Sequence, residues 1–387
     1  MWSRVEQVAG LLLIAAVLID VFLTVLYARI SPVISSAWLG RWIWRVVYRV
    51  DGWIDPRKER LVGFAGPLTL VAVLLLWTVG LALGAGLVVH PALGNSILFT
   101  RAHNPTDFVS AFYAGGISLA LVGSTDFEPQ TSAWRLVFWF NSLIGVSVVT
   151  LTLTYFMQLY SALQRRNTFG LKLWVASGAT GDAGELLARL AQGGRMQRVE
   201  QKLSEIAAEM VGVKEAHHFY PVLFYFRFRE PYYAVAFATS LSLDLISLLD
   251  SSIDEDHADA FRGSASVEEL RLGALLLLEL LENTFGRGAP HPGPPRPEQA
   301  EHWKERYRAA LPRLREARFP LRADAEAGAE RYVQLRSVWD RAVEELVHEA
   351  GRSRTKLDAA EPGHDHDPEW AGPRTLDRGS EPPRTVH

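Results

Sequence analysis

Residues 121–126, which read LVGSTD, form the compact polar stretch where the sequence concentrates groups able to coordinate an ion. The run before it, Thr106 to Ala120, is too short and too polar to cross a bilayer, so it predicts a re-entrant helix. Asn104 and Pro105 supply a capping side chain followed by a first-turn proline. The C-terminal end of such a helix carries negative dipole character and would point toward the membrane centre. The chemistry expected at this loop is therefore cation coordination.

Three apolar stretches reach the roughly 20 residues that are needed to cross a hydrocarbon core. We expect spans at Val8 to Ala28, at about Ala65 to Val89 and at Leu136 to Tyr160. The first stretch is too long for the apolar part of a secretory signal, and no small-residue cleavage site follows it. Asp20, inside the first span, should face protein or water, either as a hydrogen-bonded contact between helices or as a gating group.

The distribution of lysine and arginine sets the expected orientation of these spans. Basic residues gather between the first and second spans and after the third, whereas only Arg101 lies in the 91–134 loop. These basic residues include Arg41, Arg45, Arg49, Arg57, Lys58 and Arg60 in the first connection, and Arg165, Arg166 and Lys172 after the third span. We therefore predict a multi-pass protein of the cell (inner) membrane with the N-terminus outside and the C-terminal region cytoplasmic.

The segment from Ser35 to Val50 is amphipathic. Arg41, Arg45 and Arg49 follow one another at i, i+4 and i+8 on one stripe of a helix, and apolar residues cover the remainder. We expect this helix to lie on the inner leaflet with its arginines at anionic lipid headgroups. The alternative is a soluble helix packed on the cytoplasmic domain.

The third span carries a continuous polar face. Its members are Ser147, Thr150, Thr154, Gln158 and Ser161, spaced 3, 4, 4 and 3 residues apart. Serine and threonine often bond back to their own helix, which would account for one or two of them. Five in register predict a water-filled lumen. Irregular backbone at membrane depth must be enclosed by protein or line a water cavity. Since the chain shows one loop and no internal repeat, identical copies must complete the enclosure.

The stretch DFVSAFYAGGISLALVGSTDFEP, residues 107–129, resembles the pore region of the potassium-channel superfamily, specifically the bacterial two-helix pore type. In that family the loop reads Thr-Val-Gly-Tyr-Gly-Asp, followed by two residues and proline. The matching positions are Val122, Gly123, Asp126 and Pro129 in the loop, Ala111, Phe112 and Tyr113 at the pore-helix start, and Gly145 at the inner-helix hinge. The resemblance covers roughly residues 65–163. It implies a tetramer with an outer helix, pore helix, filter and inner helix.

Three filter positions depart from the family pattern. Leu121 replaces threonine, Ser124 replaces tyrosine and Thr125 replaces the second glycine. The family filter turns backbone carbonyls toward potassium, and a β-branched residue in the left-handed region costs about 1–2 kcal/mol. Three outcomes stay open: a wider, weakly selective cation pore, a filter lined by the Ser124 and Thr125 hydroxyls, or a pore fold that does not conduct.

Two other features of the pore region carry predictions. Asp126 and Glu128 are expected to form acidic rings at the outer mouth, and a local hydrogen bond of Asp126 could coexist with such a ring. Gly80 and Gly84, a small-x-x-x-small pair, predict close approach of the outer and inner helices.

Beyond Arg165 the pattern becomes that of a soluble helical domain. Its periodic apolar segments lie at about 183–213, 229–252, 267–285, 298–317 and 321–350. We interpret 229–252 as a buried bundle helix because Asp244 and several hydroxyls interrupt its apolar character. The stretch 175–184 predicts a linker. The stretch 217–233 predicts aromatic core packing, with a metal or ligand pocket as the alternative.

The composition excludes several other functions. The chain has no cysteine, so disulfides, thiolate metal sites and cysteine nucleophiles are absent. A net charge of -3 and the lack of a basic tract argue against a nucleic-acid binder. No catalytic constellation emerges, so we expect no enzyme, no metal site and no cofactor beyond permeating potassium or sodium ions.

The sequence thus predicts an all-α membrane protein with a re-entrant pore-loop domain, an extra N-terminal transmembrane helix and a helical cytoplasmic domain. The expected divisions are 1–30 for the N-terminal span, 31–64 for the interfacial helix and linker, 65–163 for the pore domain, 164–350 for the cytoplasmic domain and 351–387 for a disordered tail. The predicted function is a homotetrameric cation channel of weak or altered selectivity, gated by its cytoplasmic domain. The alternative is a non-conducting membrane sensor or scaffold.

Overall fold

The computed structural model describes residues 2–27, 34–54, 62–100, 105–120, 126–228, 230–285 and 294–349. Helices dominate these ranges, and the predicted all-α class is confirmed. The membrane part contains α1 (Trp2–Val21, extended by a π-helical turn at Phe22–Leu26), α2 (Ile34–Ile54), α3 (Ala65–Val89), α4 (Phe108–Leu119) and α5 (Ser132–Ala176). The remaining helices are α6 (Ala183–Ala191), α7 (Met196–Phe219), α8 (Val235–Ser252), α9 (Glu255–Arg262), α10 (Ala265–Phe285), α11 (Pro297–Glu316), α12 (Ala325–Ser337) and α13 (Asp340–Glu349). The tail 351–387 lies outside the described residues.

Four helices of the described part are long and apolar enough to cross a membrane: Trp2–Leu26, Ala65–Ala92, Ser132–Ala176 and Val235–Ser252. The second and third contain the predicted spans Ala65 to Val89 and Leu136 to Tyr160, and the first begins before Val8 and ends at Leu26, two residues short of the predicted end at Ala28. The fourth, α8, has 89% of its apolar window buried inside the protein. Other helices already enclose α8, which agrees with its interpretation as the central helix of a soluble bundle.

Helices α1 and α3 pack at short range through small residues. A Cβ atom added at Gly84 would lie 2.7 Å from Cγ1 of Ile14, and one added at Gly10 would lie 2.6 Å from the Gly84 carbonyl oxygen. A Cβ at Gly80 would lie 2.9 Å from a methyl group of Val17. The prediction that Gly80 and Gly84 bring the outer helix toward the inner helix is therefore wrong, because this pair faces the extra N-terminal helix.

Asp20 takes part in the same helix pair. Nε1 of Trp77, an almost fully buried side chain on α3, donates a hydrogen bond of 2.7 Å to Oδ2 of Asp20. A carboxylate at membrane depth is costly unless it is paired, and the indole satisfies part of that requirement. The interhelical contact expected for Asp20 is therefore present.

Helix α5 is much longer than the predicted third span. Its 45 residues extend roughly 68 Å, whereas the hydrocarbon core is about 30 Å thick. Val148 on its N-terminal half packs in one apolar cluster with α1 and α3, and Phe169 and Leu173 on its C-terminal half belong to the core of the C-terminal helices. A single helix therefore connects the apolar N-terminal part to the C-terminal helices, and the linker expected at 175–184 begins where it ends.

The cytoplasmic helices surround α8, which carries a buried charge. Nη1 of Arg336 lies 2.9 Å from Oδ1 of Asp244, and Nη2 of Arg306 lies 3.2 Å from Oδ2. The hydroxyl of Tyr332 also donates to Asp244, and Arg336 binds Asp340 as well. Burial raises the pKa of Asp244, but the two guanidinium charges and the hydrogen bond from Tyr332 outweigh burial and hold that pKa below its usual range.

Candidate pore

The pore helix α4 begins two residues later than the sequence suggested. Asp107 is its N-cap: the carboxylate accepts hydrogen bonds from the Ser110 backbone nitrogen at 3.0 Å and from the Ser110 hydroxyl at 2.8 Å. Assigning the helix start to Asn104 and Pro105 was therefore wrong. Asn104 lies outside the described residues, and Pro105 precedes the helix. Asp107 competes better for this role because its side chain reaches the first free amide groups of the helix.

The C-terminal end of α4 is held by α5. Nδ2 of Asn141 donates to Oγ of Ser118 at 2.9 Å, and Oγ of Ser142 donates to the Ser118 carbonyl oxygen at 2.8 Å. Gly145 lies one turn further along α5, where a Cβ atom would collide with the carbonyl of Leu119. Sequence reasoning did not assign these three α5 residues to this contact. The sequence feature that could have indicated this contact is the polar pair Asn141 and Ser142 within an apolar span, followed by Gly145.

The outer end of the pore loop is also anchored. The backbone carbonyl of Asp126 accepts from the Thr100 nitrogen at 2.8 Å, and its carboxylate accepts from the Tyr113 hydroxyl at 3.2 Å. Strand β2 (Phe127–Pro129) follows Asp126 and pairs antiparallel with β1 (Ile97–Phe99), forming a two-stranded sheet that the sequence did not predict. Within it, Glu128 is exposed. The local hydrogen bond considered for Asp126 is thus present.

The predicted filter residues Leu121, Val122, Gly123, Ser124 and Thr125 lie outside the described residues. Both ends of the loop are nevertheless placed, because Leu119 ends α4 beside Gly145 and Asp126 is tied to Tyr113 and Thr100. The loop must therefore connect the C-terminal end of the pore helix α4 with strand β2.

The exposed surface of α5 separates into two lanes. The polar lane consists of Ser147, Thr150, Thr154, Gln158 and Ser161, all exposed in the single chain. The apolar lane consists of Val149, Leu153, Met157 and Tyr160, which are 50–69% exposed. Thr154 bonds back to the Thr150 carbonyl, and Gln158 accepts from the Tyr220 hydroxyl. The structure thus keeps all the predicted pore-lining residues on one accessible face.

Helix α2 has one packed side and one exposed side. Its Trp44 ring lies 5.9 Å from the Tyr225 ring, and the guanidinium of Arg227 lies 4.5 Å above Trp44. Arg45 and Arg49 are exposed, and the Arg41 side chain lies outside the described part. The packed side matches the alternative of contact with the cytoplasmic part, and the exposed arginines leave the lipid-headgroup prediction standing.

Residues 220–228, here called the junction segment, connect the outer helix, the inner helix and the cytoplasmic domain. Arg166, which is 5% exposed, donates from α5 to the carbonyls of Leu223 at 2.8 Å and Phe226 at 3.1 Å. Phe226 also covers Gly66 at the base of α3. A displacement of the C-terminal helices can therefore pass through the junction segment to the outer helix α3 and the inner helix α5.

His217, which lies near Arg166, is a buried residue of the protein interior. Burial, assisted by the charge of Arg166, lowers the pKa of His217 to about 3, so its ring is neutral at ordinary pH. Its Nδ1 lies 2.9 Å from the Val213 carbonyl oxygen. Across the described ranges no group of three or more metal-ligating side chains is assembled. Leu223, Phe224, Tyr225 and Phe226 of the aromatic segment are buried in the apolar clusters, which agrees with its interpretation as core packing.

Comparisons with known proteins agree with this arrangement. Residues 69–162 match the Ion_trans_2 family, described as ion channel. The chain is also 20% identical over 333 residues to the protein named "Uncharacterized membrane protein YdjJ" of Bacillus subtilis (strain 168), an alignment that covers 84% of this chain and 94% of that protein. No solved structure matches. The matched segment contains α4 and the polar lane and nearly all of α3, so this part of the chain is similar to an ion-channel domain.

Proposed function

We propose that this chain is the subunit of a homotetrameric cation channel of the cell membrane and is not an enzyme. The observation that carries the proposal is the division of the α5 surface into a polar and an apolar lane. A helix surrounded by lipid gains nothing from five exposed polar side chains in register, whereas a shared water-filled lumen accommodates them. The match of residues 69–162 to an ion-channel family supports the same interpretation.

The proposed conduction pathway starts at the acidic residues Asp126 and Glu128, passes the 121–125 loop and continues along the polar lane. The permeating ions are monovalent cations such as potassium or sodium. The N-terminus lies outside and the cytoplasmic helices gate the pore through the junction segment, while Arg41, Arg45 and Arg49 contact lipid headgroups. The hydrogen bond between Tyr220 and Gln158 supports this coupling, because it joins the junction segment to the polar lane.

Cysteine accessibility tests the proposal directly, since the natural chain contains no cysteine. We expect a thiol-reactive cation to block current in Thr154→Cys, which places a thiol on the polar lane. Leu153→Cys is the matched control, because its side chain is one residue away and 61% exposed on the apolar lane. Both variants are reconstituted in liposomes and assayed for cation flux before and after labelling. Absence of flux under every ligand, voltage and pH would instead favour the non-conducting sensor.

Selectivity supplies a second prediction. Because Thr125 disfavours the left-handed backbone that a glycine adopts there, we expect a potassium-to-sodium permeability ratio well below that of a strict potassium channel. The double variant Ser124→Tyr with Thr125→Gly restores the family residues and should raise the ratio. Reversal potentials under bi-ionic conditions measure it. A high ratio in the unmodified channel, unchanged in the double variant, would contradict this account.

A further inference from the structure

The polar lane of α5 does not stop at the membrane boundary. Arg165 follows Thr154 by eleven residues and Gln158 by seven, which are about three and two full helical turns. Its side chain is exposed, as are those of Thr168 and Lys172 further along the same face. Since α5 continues without a break to Ala176, the face proposed to line the lumen runs on into the cytoplasmic side.

Adjacent basic residues of α5 have different environments. Arg166 is buried against the junction segment, and Lys172 pairs with Glu209 at 2.6 Å. Arg165 makes no ion pair with the part of the chain that the structure describes. Its positive charge acts on the Tyr220 hydroxyl, which donates to Gln158, and partly offsets the rise that burial causes in the pKa of that hydroxyl. Among the described residues, Arg165 therefore brings a positive charge without an acidic partner to the centre of the polar face.

The depth of Arg165 places it beyond the hydrocarbon core. It follows Leu136, the predicted outer end of the third span, by 29 residues, which corresponds to roughly 44 Å of helix, and the hydrocarbon core is about 30 Å thick. A positive charge at this level costs little in desolvation and faces the inner entrance of the lumen.

Resting on the proposed function, we propose that Arg165 from each copy forms a cationic ring at the cytoplasmic mouth of the pore. The opposite mouth carries Asp126 and Glu128. Charged rings change the local concentration of permeating ions, so the outer mouth enriches cations and the inner mouth depletes them. The pore then passes inward cation current more readily than outward current in symmetrical solutions.

Excised inside-out patches, in which the orientation of the channel is fixed, test this asymmetry. With about 0.01 M salt on both sides we expect inward current to exceed outward current, and with about 1 M salt the difference should vanish because screening shortens the Debye length to about 3 Å. Arg165→Gln should raise outward current at low salt roughly twofold to tenfold, and Arg165→Glu should raise it further. Arg315→Gln, at an exposed arginine of α11, is the matched control and should leave the current unchanged.

A readout that does not need current separates failure of this inference from failure of the proposed function. A spin label on Arg165→Cys should give two short intersubunit distances in the ratio of side to diagonal of a square, and a label on Arg315→Cys should give longer ones. Distances at position 165 as long as those at position 315, in a channel that conducts, would overturn the ring and leave the channel proposal standing. A current–voltage relation unchanged in Arg165→Gln would overturn it as well. A purified protein that is monomeric would remove both proposals.

Discussion

Replacing Asp244 by alanine is expected to lower the free energy of unfolding of the cytoplasmic helices by about 3 kcal/mol. Removing one partner of a buried ion pair leaves an uncompensated charge, which typically costs about 3–5 kcal/mol. The lower end applies here because Asp340 stays 3.1 Å from Nε of Arg336 and continues to neutralise part of its charge. Arg306 loses its closest acidic partner, but its side chain is already 19% exposed, against 5% for Arg336, so water can solvate part of its charge.

The measurement is denaturant and thermal unfolding of the detergent-solubilised full chain, followed by tryptophan fluorescence. Trp303 and Trp339 both lie beside Arg336, so their emission reports on this cluster. Arg308→Ala is the control, because its pairs with Glu326 and Glu301 are exposed to solvent and contribute little to stability. Equal stability of the Asp244 and Arg308 variants would contradict the structural role of the buried cluster.

The pH dependence gives the same prediction a second signature. In the folded protein the pKa of Asp244 lies below its usual range, because the nearby guanidinium groups and the hydrogen bond from Tyr332 outweigh the effect of burial. The stabilisation from this carboxylate is therefore fully present above the unfolded-state pKa of about 3.9 and is lost as the pH falls through the folded-state pKa. The stability difference between the natural chain and Asp244→Ala should accordingly shrink in acid.

The membrane arrangement could be predicted from the sequence because its signals are long and additive. Each span needs about 20 apolar residues, and a run of that length is hard to mistake. The polar lane was equally readable, since the spacing of Ser147, Thr150, Thr154, Gln158 and Ser161 is fixed by helix geometry. The bundle role of α8 followed from Asp244, whose buried partners explain why an ionisable residue interrupts an otherwise apolar helix.

Specific contacts between helices could not be predicted in the same way. The spacing of Gly80 and Gly84 predicts close packing against another helix, but it does not identify that helix. In the structure both glycines pack against the extra helix α1. The hydrogen bonds of Asn141 and Ser142 to the end of α4 depend on how α4 and α5 are positioned along their axes relative to each other. No local sequence pattern specifies that position. The length of α5 was missed because the basic residues after Tyr160 signal a membrane boundary, and a helix can continue past it.

Replacing Gly145 by alanine is expected to have the second large effect. A Cβ at this position would collide with the carbonyl oxygen of Leu119, which is the last residue of the pore helix. The Leu119 carbonyl is part of the backbone and cannot rotate away as a long side chain can. The end of α4 must therefore shift, or α5 must move outward. Overpacking of this kind costs about 1–3 kcal/mol per chain, and in the proposed tetramer every subunit would carry the same distortion.

Two roles of Gly145 can be distinguished by measuring stability and current together. As a hinge, the role suggested by the family resemblance, Gly145→Ala leaves a stable assembled channel that opens poorly. As a packing residue, Gly145→Ala lowers the thermal stability of the assembly and the cation flux together, because the filter loop starts at the displaced end of α4. We expect the second result, since α5 is continuous α-helix from Ser132 to Ala176 and a Cβ at Gly145 would meet the Leu119 carbonyl.

Gly212→Ala provides the control for the glycine substitution itself. Gly212 lies in α7, and a Cβ atom there meets nothing within 4 Å. Alanine in an open helical position should stabilise by about 0.5–1 kcal/mol, because glycine loses more conformational freedom on folding. Opposite signs for the two glycine-to-alanine changes would assign the effect at position 145 to the Leu119 carbonyl. A Gly145→Ala channel with unchanged melting temperature and reduced open probability would assign it to bending of the inner helix instead.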